Sequence, residues 1–505
     1  MSAAPNLKLV PDTFNETISD DLAAATALEL AEVTRAIEQT PPDEPDHYND
    51  LNNAERFVAA VDGKLLYVPE TDRWLYWNGT HWTGSGEQDH AFELICAFVK
   101  KLLISDTASK EARQNAKRAN DTAGISAIEK LAKRMLQTPL HEFDGEQTHY
   151  MLNCKNGTVN LRTGEINDHN SENLITRMIP VDYDESAECP KFDKFLAEIQ
   201  PDPEIRRFLQ RSIGYSLIGA VPEHAFWILY GIGNNGKSVF TKLFINLLGP
   251  YASGMQAESL MDSANKRTAG AASEDIARLK SKRFILVSES NEGERLNAAQ
   301  IKALSAGDVV TARELFKGSF DFSFTGKLWI ATNHKPAISD HSKGLWRRVK
   351  LVPFAQNIAD DKVIKQDELH AMLRLEFSGI LNWAVQGCLD YIEHDSLRTP
   401  PVIQAEIDAY KYEQDSIAQF LEEHCQTVAQ GRTVAQANGG YFNELDFRAM
   451  NSDVYARYRL HCKDNGEFPF KQKRFSQMLI EKGFKKGNSG GRYWEGLRLT
   501  GSDPN

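Results

Sequence analysis

Residues 226–248 read FWILYGIGNNGKSVFTKLFINLL. Phe226–Tyr230 is an unbroken apolar and aromatic run, the pattern of a short strand buried on both faces. Gly231, Ile232, Gly233, Asn234, Asn235, Gly236, Lys237 and Ser238 follow as GxxxxGK[ST]. Behind them Val239, Leu243, Phe244, Leu247 and Leu248 recur at helical spacing. Strand, glycine-rich loop and helix in this order predict a phosphate cradle. The glycines let the backbone wrap a phosphate chain with N–H groups pointing inward. The helix N-terminus adds partial positive charge. Lys237 is placed to reach the β- and γ-phosphates, and the Ser238 hydroxyl to ligate Mg²⁺. ATP and Mg²⁺ are the expected substrate and metal.

Such a cradle needs an acid at the end of a second strand. Phe284-Ile-Leu-Val287 is a second buried apolar run, and Glu289 follows it, suited to hold the Mg²⁺ shell and orient a water. Glu292 and Asp308 remain as competing acids. A third run, Leu328–Thr332, ends in Asn333, whose amide can bond the γ-phosphate or the lytic water. An asparagine after a strand is alone an ordinary turn residue; here it is the third polar strand end in order. Arg347 and Arg348 lead into another apolar strand, Val349–Phe354. They suit an arginine finger, and the bland alternative is a surface salt bridge. Between the second and third strands, VVTARELFKGSFDFSF (309–324) alternates, turns at Lys317-Gly318 and alternates again. A β-hairpin is predicted, with Phe316 and Lys317 at its tip as candidate contacts to sugar and phosphate.

Around this segment the chain is ordinary in bulk. Of 505 residues, 41% are hydrophobic and 25% charged, with a net charge of −12. That excludes neither an enzyme nor a nucleic-acid binder, because the charge is unevenly placed. Residues 1–50 carry most of the acidity and are expected to be a mobile arm with at most one helix, closed by the linker TPPDEPD. Residues 471–498 are strongly basic. No apolar run approaches a membrane span, and the start lacks a signal-peptide pattern. The six cysteines are scattered with no CxxC, which argues against a zinc ribbon and fits a reducing cytoplasm.

Residues 51–83 hold short aromatic strands with an Asn-Gly turn. Trp74, Trp77 and Trp82 are either the core of a small sheet or a base-stacking platform. A helical stretch follows at 90–140, where Phe92, Ile95, Cys96, Val99, Leu102 and Leu103 keep a 3–4 spacing. Met151–Ile166 reads as a β-meander and 191–219 as helix. After a long helix beyond residue 400, Val454–Cys462 and Gln472–Lys482 have helical patterns, and residues 490–498 look like a hairpin wing. Helix, basic helix and wing is a DNA-binding arrangement, for which Lys471, Lys473, Arg474, Lys485, Lys486 and Arg492 are candidates; a docking domain without DNA contact is the alternative.

The ordered set NNGKS (234–238), SESNEGERLN (288–297), IKALSAGDVVTARELF (301–316), LWIATNHKP (328–336) and GLWRRVKLVPF (344–354) resembles superfamily 3 helicases of the AAA+ class. It is most similar to the phage and plasmid primase-helicase family related to poxvirus primase-helicases. NAERFV (53–58), WLYWNGTHW (74–82), LNCKNGTVNLRTGE (152–165) and CPKFDKFL (189–196) extend the likeness upstream. The resemblance implies an α/β AAA+ P-loop core at 216–400, a helical and β-rich collar at 51–215, and a winged-helix-like domain at 401–505. It implies a homohexamer in a bacterial cytoplasm that hydrolyses ATP and moves 3′ to 5′ on single-stranded or forked DNA. Lys237 and Ser238 then match the Walker A pair, Glu289 the Walker B acid, Asn333 the sensor, Arg347 and Arg348 the finger from a neighbouring subunit, and Lys317 the pore hairpin. Two departures stand out. Ser288 precedes a single acid where many relatives have two. Residues 1–50 also hold no primase domain, which leaves a separately encoded primase or polymerase as a partner. Two other functions compete: an ATP-driven origin-binding or loading protein, and an unrelated P-loop NTPase or kinase. DNA-stimulated hydrolysis separates them from a motor.

Overall fold

A computed structural model describes residues 31, 33–37, 47–84, 90–104, 109–262, 274–287, 294–313, 319–338, 340–358, 365–428, 434–435, 441–442, 447–466, 468–488 and 492–500. The chain divides into two compact units. One comprises residues 1–336 with 348–400, the other 337–347 with 401–505. Residues 337–347, expected inside the 216–400 domain, therefore group with the C-terminal unit.

The first unit begins with helix α1 (Asp50–Ala60), a three-stranded antiparallel sheet of β1 (Leu65–Val68), β2 (Arg73–Trp77) and β3 (Trp82–Gly84), and helices α2 (His90–Ile104), α3 (Lys110–Ala119) and α4 (Thr122–Met135). Asn49, Ser109 and Asp121 cap α1, α3 and α4 by accepting from first-turn N–H groups. Phe57, Ala91, Leu94, Ile95, Phe98, Val99 and Ile128 form the shared core. The buried face of α2 is thus one step rotated from the sequence expectation, and Phe92 and Leu103 are exposed. Val33 and Ile37 are buried in the same core, so the mobile-arm reading does not hold through residue 50. Trp74 and Trp82 are buried, and Trp82 donates its Nε1–H to Ser171 O at 2.7 Å while packing on Phe143. These rings are a core and offer no stacking platform. β4 (Met151–Cys154), β5 (Gly157–Asn160) and β6 (Ile166–Asn167) make the expected meander.

Two helices, α5 (Pro190–Ile199) and α6 (Pro203–Leu217), lead into strand β7 (Phe226–Tyr230) and helix α7 (Lys237–Leu248). Strands β8 (Ala252–Met255) and β9 (Phe284–Val287), helix α8 (Ala298–Ala306), the hairpin β10 (Val309–Arg313) and β11 (Ser319–Ser323), then β12 (Lys327–Thr332) and β13 (Val349–Pro353) complete the domain. The main sheet has the order β13-β7-β12-β9-β8 and every neighbouring pair is parallel. Its strands are apolar on both faces because both are covered. Trp227 and Trp329 stack across β7 and β12 with ring centroids 4.7 Å apart. Helices α9 (Gln366–Arg374) and α10 (Phe377–His394) close the unit.

Two buried cations anchor the sheet at the end where β9 and β12 begin. Lys327 Nζ donates to the carbonyls of Ile218, Ala220 and Thr325. The Arg283 guanidinium donates to Leu217 O at 2.6 Å and Thr148 O at 3.2 Å. Their acceptors include orphan carbonyls at the end of α6, where the helix dipole favours a cation. Burial pushes the Lys327 ammonium well below its ordinary value.

The second unit holds α11 (Pro401–Glu413), α12 (Ser416–His424), β14 (Cys425–Thr427), the two-residue strands β15 (Val434–Ala435) and β16 (Tyr441–Phe442), β17 (Arg448–Met450), α13 (Asn451–Asp464), α14 (Gln472–Glu481), β18 (Lys485–Gly487), β19 (Tyr493–Glu495) and β20 (Leu497–Leu499). The hairpin expected within 490–498 does not form: β19 pairs with β18 and β17, and β20 pairs with β14, so the turn of the observed hairpin β18–β19 lies between residues 487 and 493. Phe420, Val454, Tyr458, Phe475 and Trp494 form its core.

Candidate functional site

β7 occupies an interior position of the sheet, between β13 and β12. The chain leaves β7 for the far edge strand β8, then works back through β9 and β12 before crossing to β13. The carboxyl end of β7 is therefore where the winding changes direction, the place where open parallel sheets bind ligands. The glycine-rich loop 231–236 emerges at this point.

Close packing accounts for the loop's glycines. A Cβ on Gly231 would lie 2.2 Å from Phe354 O and 2.5 Å from Asn235 Nδ2. Gly236 has φ +79° and leads directly into α7; its Cβ would lie 2.4 Å from Ile199 Cγ2. Asn235 is buried and donates to Phe354 O at 3.2 Å, while its own Oδ1 accepts from Lys237 N at 3.3 Å. Ile358 N donates to Asn234 O at 3.0 Å. The loop is thus held from one side by the chain after β13 and from below by α5, whose end is tied in turn by Gln200 Nε2 donating to Pro353 O at 2.8 Å. None of these supports was visible in the sequence, since residues 199–200 and 353–358 flank the motif only in space.

Lys237 is 5% exposed, although its neighbour Ser238 faces solvent. Its ammonium donates to Gly231 O and, at 3.1 Å, to Asn333 Oδ1. Asn333 follows β12, and the register Thr332↔Tyr230 sets it beside the start of the loop. Thr332 Oγ1 and His334 bond each other at 2.7 and 3.1 Å, which shapes that turn. Lysine, asparagine, an exposed first-turn hydroxyl and the N–H groups of a helix N-terminus therefore converge at the carboxyl end of one sheet. This donor set fits a polyphosphate with a hard divalent cation: amide and ammonium donors for the anion, a hydroxyl oxygen for the metal.

β9 lies next to β12, and Val287 is level with Ile330. Glu289 and Glu292 lie beyond its end, outside the described residues. The hairpin exists as β10 and β11 with Arg313 opposite Ser319; its tip, with Phe316 and Lys317, also lies outside the described residues. The paired arginines are split. Arg347 is exposed and ends a short helical turn, Lys343–Trp346, in the second unit. Arg348 is buried, and its guanidinium donates to Lys302 O and, at 3.0 Å, to Ser305 Oγ. As placed, Arg348 braces the end of α8 against β13 and is not presented as a finger.

In the second unit Lys471, Lys473, Arg474, Lys485, Lys486 and Arg492 are all exposed. The first three sit at the start of α14, and Lys486 lies over the Trp494 ring at 5.0 Å. Phe475, Met478 and Leu479 turn the other face of α14 into the core, so its charged face lies toward solvent, with Arg474 3.6 Å from Glu481.

Comparison with known proteins agrees with this architecture. A family described as "D5 N terminal like" matches residues 54–201, and a family of unknown function (DUF5906) matches residues 229–348. The chain is 30% identical over 244 residues to "Putative helicase 022R" of Frog virus 3, covering 45% of this chain and 25% of that protein. It is 25% identical over 294 residues to "Putative helicase L207/L206" of Acanthamoeba polyphaga mimivirus, covering 55% of this chain and 30% of the other. "Putative primase C962R" of African swine fever virus (isolate Tick/Malawi/Lil 20-1/1983) is 23% identical over 305 residues, 56% of this chain and 32% of that protein. The matches thus span about a quarter to a third of the length of these curated relatives. Among solved structures, the apo structure of the NrS-1 C-terminal region (305–718) superposes with a TM-score of 0.50 at 11% identity, covering 90% of this chain and 100% of that one. That likeness shows a shared fold. No helix among the described residues is long and apolar enough to cross a membrane.

Proposed function

We propose, from the premise that the chain belongs to a D5-like primase-helicase family related to poxvirus proteins, that it is the ATP-hydrolysing motor of a replicative DNA helicase. The observation that carries this reading is the convergence of Lys237, Asn333 and the exposed Ser238 at the carboxyl end of β7. In this reading ATP lies along the loop 231–236 and the first turn of α7. Lys237 turns from Gly231 O and Asn333 to the β- and γ-phosphates, and Asn333 orients the attacking water or the γ-phosphate. Ser238 and Glu289 hold Mg²⁺, which neutralises charge on the phosphates. Arg347, the exposed member of the pair, serves as the finger toward a nucleotide on another subunit, so that the active species is a homohexameric ring of AAA+ type.

The DNA-binding half of the proposal rests on two features. One is the hairpin β10–β11, whose tip residues Phe316 and Lys317 would line a pore and contact single-stranded DNA regardless of sequence. The other is the helix–helix–hairpin order of the second unit, with Lys471, Lys473, Arg474 and Arg492 exposed, which supports a winged-helix contact to duplex DNA. Movement is 3′ to 5′, and a separately encoded primase or polymerase is the expected partner.

The test is ATP turnover by the full chain with and without single-stranded DNA, in wild type and Lys237→Ala. A motor hydrolyses ATP faster with DNA and loses turnover in the variant. Wild-type turnover in Lys237→Ala sinks the site assignment. Turnover indifferent to DNA sinks the motor in favour of a loader or another NTPase.

A further inference from the structure

The second unit contains a side-chain cluster that the motor reading does not use. Glu423 and His424 end helix α12, and His461 lies on α13. Glu423 Oε2 is 3.3 Å from His461 Nδ1 and 3.8 Å from His424 Nε2. One donor atom from each residue lies within 4.8 Å of the other two. The imidazole rings stand at 81° with centroids 5.3 Å apart, so that two ring nitrogens face one carboxylate oxygen. We propose that Glu423, His424 and His461 bind one divalent transition-metal ion of the zinc class.

The chemistry favours such an ion over Mg²⁺ or Ca²⁺, because two imidazole nitrogens and one carboxylate suit a borderline cation, and hard cations prefer oxygen alone. Metal–nitrogen bonds of about 2.0–2.1 Å with tetrahedral angles put ligand atoms roughly 3.3 Å apart. The Glu423–His461 edge already has that length. The other edges must shorten, and the side chains that have to move are the accessible ones. Glu423 is 56% and His424 25% exposed, whereas His461 is 1% exposed and fixed.

Two groups oppose the ion as they stand. The Arg457 guanidinium is 3.5 Å from His424 Nδ1, the ring nitrogen away from the cluster, and Asn465 Nδ2 is 3.4 Å from His461 Nδ1. Binding at Nε2 places a proton on Nδ1, so Arg457 has to swing into solvent, and its side chain is exposed. Asn465 Nδ2, 3.3 Å from His461 Nε2, turns its amide over to accept from that nitrogen. A second cluster among the described residues, Asp390, Glu393 and His394, lacks this capacity because Arg211 already holds Asp390 at 2.6 Å.

The position indicates what the ion does. His424 O accepts from Thr500 N at 2.9 Å where α12 runs into β14, and β14 pairs with β20. A metal here ties that strand pair to α13, against which the basic helix α14 packs through Tyr458 and Phe475. It acts as a staple within the C-terminal unit and is independent of the nucleotide site.

The experiment uses the full chain, stripped with EDTA and dialysed, then titrated calorimetrically with Zn²⁺ and, separately, Mg²⁺. Its melting is followed with and without Zn²⁺. The expected result is one Zn²⁺ site per chain and a melting transition raised by Zn²⁺ but not by Mg²⁺. Because His461→Ala opens a buried position and is at risk of misfolding, the decisive variant is Glu423→Gln/His424→Ala, which changes only accessible side chains. It should bind Zn²⁺ at least tenfold more weakly and lose the melting shift. A wild-type chain that takes up no Zn²⁺, a double variant that binds as wild type does, or an equal response to Mg²⁺ each overturns the proposal.

Discussion

Gly236→Ala tests whether the loop geometry described here is the one that binds nucleotide. Two costs are visible. The residue has φ +79°, a conformation that costs a residue with a Cβ about 1–2 kcal/mol. The added methyl also lies 2.4 Å from Ile199 Cγ2, where something must shift, and overpacking of this kind costs about 1–3 kcal/mol. If both fall on the binding-competent loop, ATP affinity drops by about 2–5 kcal/mol, roughly 30-fold to several thousand-fold. Fluorescent ATP-analogue titration of the full chain measures this, with melting temperature as the control for global damage. The two costs separate in a second variant. Ile199→Leu keeps the volume but removes the branch at Cβ that carries Cγ2. Placed in the Gly236→Ala background, it should recover the steric part and leave the conformational part, so affinity returns only partway. Wild-type affinity in Gly236→Ala would show that nucleotide is not held by this loop in this conformation. Full recovery by Ile199→Leu would show that the left-handed backbone at residue 236 is not needed.

Further outcomes follow from other parts of the molecule. Arg348→Ala removes donors to Lys302 O and Ser305 Oγ in a buried setting and should cost about 1–3 kcal/mol, read as a lower melting temperature; Arg347→Ala should leave melting unchanged and lower ATP turnover by about 10³-fold or more, and the opposite pattern would reverse the two roles. Changing Lys471, Lys473 and Arg474 together to Gln should weaken duplex binding and reduce the slope of log affinity against log salt by about two to three; an unchanged slope would remove α14 from the DNA contact. Burial pushes His81 down to about 4 from 6.5. The unfolded chain then binds a proton between those values that the folded chain refuses, so this group lowers stability as pH falls from about 6.5 to 4, by up to about 3 kcal/mol, and adds nothing above 6.5. Urea denaturation across that range should show a shallower acid loss in His81→Gln; an identical slope would show that His81 is not the group responsible.

How much could be read without the fold varies by element, for physical reasons. Short-range patterns were sufficient for β7, the loop and α7, because a buried strand, a positive-φ glycine and a helix start are specified by neighbours in sequence. The same holds for the meander at 151–167, the β10–β11 hairpin and the two helices of the second unit; the hairpin expected at 490–498 instead splits, β19 pairing with β18 and β20 with β14. The aromatic run at 74–82 left two readings, since a tryptophan's partners decide whether it is core or surface; contact with Phe143 and Ser171 settled it. On α2 a nearly all-apolar sequence specifies no single face, so the 3–4 spacing put Phe92 on the buried side, and packing buries Leu94 instead.

Other properties belong to the tertiary structure alone. The register of β12 against β7 brings Asn333 to Lys237 across a sequence separation of 96, and no local pattern encodes that distance. Two adjacent arginines with the same composition signal received opposite environments, because Arg348 begins the path into a buried strand while Arg347, at the end of the turn Lys343–Trp346, points to solvent. The chain following β13 and the end of α5 became walls of the phosphate loop. Glu423, His424 and His461 became one cluster because α12 and α13 pack side by side. Which chemistry is present could be read along the chain, since residue type and local backbone preference are carried in consecutive positions. Which of those groups meet, and which are turned inward, was decided by strand order and helix packing, where the free energy is that of contacts between segments distant along the chain.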